Sequence, residues 1–121
     1  MAYTTIALVK SNWLNITDNA ADTQLTNLLA SAERRIDRVM AQVKTVPLTG
    51  DNISNSIIDF TQELTAGLFW QANAKNVEDY NRGKDMEDRV LKAVAEYALQ
   101  FTEDGFHVEV KEYETEPLSN E

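Results

Sequence analysis

The chain contains no cysteine, which excludes disulfide bridges and thiol chemistry. A single histidine, His107, excludes a two-histidine metal site and leaves a Ser-His-Asp triad unsupported. Only four glycines occur, and they are scattered, so no glycine-rich loop can cradle a phosphate. No apolar run approaches the roughly 18 residues of a membrane span. The opening Met1-Ala-Tyr-Thr-Thr-Ile6 lacks a basic region followed by an apolar core, so no signal peptide is expected. Asn15-Ile-Thr17 and Asn52-Ile-Ser54 then read as chance matches to the glycosylation sequon. A carboxylate pair could act as acid and base only in a cleft that shifts a pKa, which sequence does not display. We expect no enzyme, no cofactor and no metal.

Basic residues are scarce as well: 11 Lys and Arg stand against 20 Asp and Glu, for a net charge of −9 in 121 residues. The imbalance is concentrated at the end. Glu103, Asp104, Glu109, Glu112, Glu114, Glu116 and Glu121 face one base there, Lys111. Non-specific nucleic-acid binding depends on Lys and Arg displacing counterions, so this chain is a poor candidate for it. An acidic surface can meet a basic partner, or stand near DNA without adhering.

What is present is helical periodicity. Leu25, Leu28, Leu29, Ala32, Ile36, Val39, Met40 and Val43 share one face of a 3.6-residue repeat. A helix over 22–43 is expected, roughly 33 Å long at 1.5 Å per residue. A short helix over 4–14 precedes it, with Ile6, Val9, Lys10 and Trp13 on one side, and Trp13 is expected to clip it to the core. Pro47 and Gly50 end the long helix before the next begins. Ile53, Ile57, Phe60, Leu64 and Leu68 mark a third helix running to 77–80, capped by Asp51 or Asn52. Ile58, Phe69, Trp70, Ala66 and Ala74 lie outside that face, so the second half of this helix is apolar on most of its circumference, as in a helix covered on several sides. Trp70 can either complete that core or anchor a protein partner.

Residues 78–84 read as a polar loop with Gly83 at a sharp turn. Asp85, Glu87 and Asp88 then read as the acidic first turn of a fourth helix, so they need no metal to explain them. That helix buries Met86, Val90, Val94, Tyr97, Ala98 and Phe101 and stops at Gly105. Beyond it Phe106, Val108 and Val110 alternate with His107, Glu109 and Lys111, the spacing of a strand. A lone strand needs a partner, which another chain can supply. The chain therefore reads as one all-α, four-helix bundle-like domain over 1–105, with a short first helix and three longer ones. An extended acidic C-terminal arm follows over 106–121. Arg34 and Arg38 project at about 180° and 220° from Leu25, away from the core, where they can be solvated or meet an acidic neighbour. With Trp70, Phe106, Val108, Val110 and Tyr113 they form the candidate protein–protein interface.

A short helix ending Val9-Lys10-Ser-Asn-Trp13-Leu14-Asn-Ile16, a connector containing Asp18, and then Leu25-Thr-Asn-Leu28-Leu29-Ala-Ser-Ala32-Glu-Arg-Arg-Ile36 resemble the small head–tail connector proteins of tailed phages. These adaptor or head-completion proteins open with a Val-Lys-x-x-Leu helix and continue with a Leu-Leu-x-x-Ala-x-x-x-Ile type helix. The likeness covers residues 5–40 in pattern and 53–114 in architecture. The chain departs from it in carrying Trp13 before the Leu of the first motif and an unusually acidic tail. The resemblance implies a structural ring subunit in the virion, one of twelve copies docked on the portal protein. Such a ring extends the DNA channel and presents a surface to a tail or stopper protein. The alternative from composition alone is a small cytoplasmic regulatory or antitoxin-like helical module whose acidic tail binds a basic partner.

Overall fold

The computed structural model describes residues 2–102. They form α1 (Ile6–Val9), a π-helical turn (Lys10–Leu14), α2 (Asp22–Met40), α3 (Asn55–Ala72) and α4 (Val77–Ala98), with 3-10 turns at Gly50–Asn52 and Leu99–Phe101. The described residues are all-helical, with four helices and no strand. None of these helices is long and apolar enough to cross a membrane.

α3 lies between its sequence neighbours. Gln71 bonds to α4 near Gly83 and Glu63 pairs with Arg89, while Phe60 packs on Tyr97, so α3 and α4 run antiparallel. Arg35 meets Glu87, and Lys44 just past α2 lies over Phe101 just past α4, so α2 and α4 run parallel. The expectation of a helix covered on several sides is met by α3, which buries Ile57, Thr61, Gln62, Leu64, Thr65, Ala66, Gly67 and Leu68. Its buried hydroxyls are satisfied within the helix: Thr61 Oγ1 donates to Ile57 O and Thr65 Oγ1 to Thr61 O, each at 2.7 Å. The α2 stripe is likewise as expected, with Leu25, Leu29, Ala32, Ile36 and Met40 buried.

Several boundaries differ from the sequence reading. Neither Asp51 nor Asn52 caps α3; they belong to the 3-10 turn, and Ser54 Oγ accepts from Ile57 N at 3.3 Å. α3 ends at Ala72 rather than near 77–80, and α4 begins at Val77, where Asn76 Oδ1 accepts from Asp79 N at 2.8 Å. Glu78 and Asp79 occupy the first turn of α4, so Asp85, Glu87 and Asp88 are not its N-terminal carboxylates. Gly83 is not a turn but a buried helical residue. A Cβ there would sit 2.5 Å from Gly67 O and 2.8 Å from Gln71 N. It is glycine because α3 and α4 approach at backbone distance. Trp13 does not fill the core either. It is 37% exposed at the rim, its Nε1 donating to Gln62 Oε1 at 3.3 Å, and Val9 is the fully buried residue of that segment.

The N-terminal segment is tied down by polar contacts. Lys10, almost buried, donates from Nζ to Asp22 Oδ1 at 2.8 Å and bridges the first turn of α2. Gln62 accepts from Asn12 Nδ2 and Trp13 Nε1 and donates to Thr4 Oγ1. Tyr3, 3% exposed, donates from its hydroxyl to Asp37 Oδ1 at 2.5 Å and accepts from Leu48 N at 2.7 Å. Burial, reinforced by the bond to Asp37, pushes the Tyr3 hydroxyl well above its ordinary range. A raised phenol pKa favours the neutral group in the folded state. Its contribution is therefore complete below the unfolded value of about 10 and is lost as pH rises beyond it. Tyr3→Phe should cost about 1–3 kcal/mol at neutral pH, because the buried Leu48 N–H loses its acceptor. It should also flatten the loss of stability above pH ~10, where the Tyr3 hydroxyl titrates in the unfolded chain. Urea unfolding of both proteins across neutral and alkaline pH checks this.

Candidate protein-interaction site

Among the described residues, a groove and a smaller cleft flank α4. The larger is a groove between α2 and α4 with about 560 Å³ of space, lined by Ser31, Arg34, Arg35, Arg38, Val39, Gln42, Lys84, Glu87, Asp88 and Leu91. Helical spacing builds it: Ser31, Arg34, Arg35 and Arg38 share one flank of α2, and Gln42 continues that flank in the turn just past its end. Across the gap, Lys84, Glu87, Asp88 and Leu91 do the same on α4. Val39 and Leu91 supply its apolar surface.

The charges in the groove are not equivalent. Glu87 is 8% exposed. Its Oε2 accepts from Arg35 Nη1, its Oε1 accepts from Gln71 Nε2 at 2.9 Å, and Lys84 Nζ lies 3.7 Å from Oε1. The carboxylates of Glu87 and Asp88 hold the Lys84 ammonium above its usual range. Arg35 and Lys84 are thus committed to carboxylates within the fold. Arg34 and Arg38 are exposed, and no hydrogen bond or ion pair to either occurs among the described residues. Two uncompensated guanidiniums one helical turn apart are the distinctive feature of this surface.

The second hollow, about 340 Å³, lies on the other flank of α4 and is lined by Trp13, Trp70, Arg82, Asp85, Met86 and Arg89. Trp70 is half-buried there. It packs against the cluster of Val9, Leu25, Ala66 and Met86, and the Arg82 guanidinium lies 4.5 Å from its ring centroid. It serves both readings offered by the sequence, core on one side and cleft wall on the other. Arg34 and Arg38 therefore share one groove, while Trp70 belongs to a different surface. Phe106, Val108, Val110 and Tyr113 lie outside the described residues.

The sequence reading missed Glu87 as a buried acceptor and Gln62 as the hub of the N-terminal segment. Glu87 looked like one of three acidic residues beginning a helix, and Arg35, its partner, is distant in sequence. Gln62 stands between Thr61 and Glu63 in the first half of its helix, and no local pattern set it apart from a solvent-facing residue. Among the described residues no group of His, Asp and Glu is arranged to hold a metal ion. No family model matches this chain, and no curated protein or solved structure matches it either.

Proposed function

We propose that the chain is a head–tail adaptor of a tailed virus: a non-catalytic ring subunit docking on the portal and linking capsid to tail. The observation that carries the reading is the pair of uncompensated arginines, Arg34 and Arg38, on a chain whose net charge is −9. A closed ring of identical subunits needs two unlike patches per subunit, one fitting the other. The cationic groove on one flank of α4 and the Trp70 cleft on the other are two unlike surfaces, each of which could receive a different part of a neighbour. The acidic segment after Thr102 supplies charge complementary to the first. A net-negative ring would also let DNA pass without holding it. The order of a short first helix, a long α2 and two further helices agrees with the resemblance in the N-terminal motifs.

The test is whether the protein is a stoichiometric component of purified virions. Absence from virions, with the chain held in the host cytoplasm by a basic partner, would instead favour the regulatory or antitoxin-like reading. Within the adaptor reading, reversing both charges with Arg34→Glu and Arg38→Glu should leave stability within about 0.5 kcal/mol, as expected of exposed side chains. It should abolish joining of the subunit to connector complexes, read by co-sedimentation with portal-bearing particles. Unchanged assembly would remove both arginines from the assembly contact.

A further inference from the structure

The α2–α4 groove also has a candidate occupant within its own chain. We infer that in the unassembled protein the acidic segment 103–121 folds back and lies along this groove against Arg34 and Arg38. The inference concerns the free chain and stands whether or not the protein is an adaptor.

Three observations carry it. The first is position. α2 and α4 run parallel, and Phe101 sits beneath Lys44, whose Nζ is 4.3 Å from the ring centroid. The chain therefore leaves the bundle at the Gln42 end of the groove. The second is reach. From Ser31 along α2 to the turn at Gln42 the groove is about 17 Å long, taking the helical rise of about 1.5 Å per residue. Five or six extended residues span that at about 3.3 Å each. After Thr102, 19 residues remain. The third is charge. Those 19 residues hold seven acids and one base, and the groove holds the two arginines that no described carboxylate neutralises. Alternating Phe106, Val108 and Val110 offer apolar contacts that suit Val39 and Leu91.

The connection also decides between this occupant and a foreign one. A segment tethered a few residues away acts at an effective concentration in the millimolar range. A free polyanion must instead approach a chain with a net charge of −9 and compete with that tether.

The absence of cysteine gives the test a unique handle. Thr115→Cys, labelled with a nitroxide, places one paramagnetic probe in the full-length chain. In the isotopically enriched, labelled protein at low salt, the amide signals of Ser31, Arg34, Arg38 and Lys84 should lose most of their intensity. They should regain it near 1 M salt, where the screening length is about 3 Å, and in the labelled Arg34→Glu, Arg38→Glu protein. Signals of Asn12 and Trp13, which bond to Gln62 on the opposite flank from the groove, act as the control. A mixture of labelled unenriched chain with unlabelled enriched chain should show no loss. Loss in the mixture as strong as in the single chain would overturn the proposal by assigning the groove to a second copy. Intensities unchanged in both samples would overturn it outright.

Discussion

Gly83→Ala should destabilise the protein by about 1–3 kcal/mol, the range for forcing an extra methyl into a packed core. The sign is the informative part. At an open helical position the same change gains about 1 kcal/mol, because alanine is the better helix former. Here the new Cβ would meet Gly67 O at 2.5 Å, Gln71 N at 2.8 Å and Trp70 Cβ at 2.8 Å. Two of the three are backbone atoms, which cannot rotate away. Relief requires α3 and α4 to separate, loosening Leu64, Leu68 and Met86 around the crossing. Gly67→Ala should cost less, since its nearest contacts are 3.0 Å from Gly83 O and from Met86 Cβ. Urea unfolding of the two variants ranks them. A Gly83→Ala protein more stable than its parent would mean that the helices are not in backbone contact.

Glu87→Ala disturbs three residues at once. Removing the carboxylate leaves Arg35 without its partner, takes an acceptor from Gln71 Nε2 and strips Lys84 of one of its two ion pairs. Breaking a fully buried pair costs about 3–5 kcal/mol. The Arg35 side chain is 36% exposed, so water recovers part of that, and about 1–2 kcal/mol is the expected loss. A double-mutant cycle with Arg35→Ala isolates the pair, and a coupling near zero would remove it from the account. Replacing both residues by methionine should restore much of the stability, because a well-packed apolar pair avoids the desolvation penalty.

These two residues also mark where sequence reading ended. The stripe from Leu25 to Met40 and the broad apolar surface of α3 were legible, because burial of a helix face follows from the chain's own periodicity. Arg34 and Arg38 were placed correctly on the outer side by the same arithmetic. Gly83 was not legible. Glycine serves both turns and close helix crossings, and only its contact with Gly67 distinguishes them. The acidic cluster at 85–88 had the composition of a helix start, but the capping role belongs to Asn76. What settles Glu87 is a guanidinium 52 positions away in sequence, and no local pattern encodes that contact. The candidate site was therefore half visible: its cations could be read, while the groove that gathers them depends on α2 and α4 running side by side.

The glycine crossing has a consequence for how the molecule assembles itself in time. α3 and α4 are joined by the four residues from Asn73 to Asn76, so their hairpin closes over a short loop. Contacts of short sequence separation have the smaller entropic barrier, which favours this hairpin as the first unit to form. The Gln62 bonds to Thr4, Asn12 and Trp13 reach back across 49–58 positions and would be made late. The Gly83→Ala loss should accordingly appear as slower folding, while a Gln62→Ala loss should appear as faster unfolding. Seen this way, a pair of residues without side chains sets the pace of the chain, and its N-terminus is the last part to join.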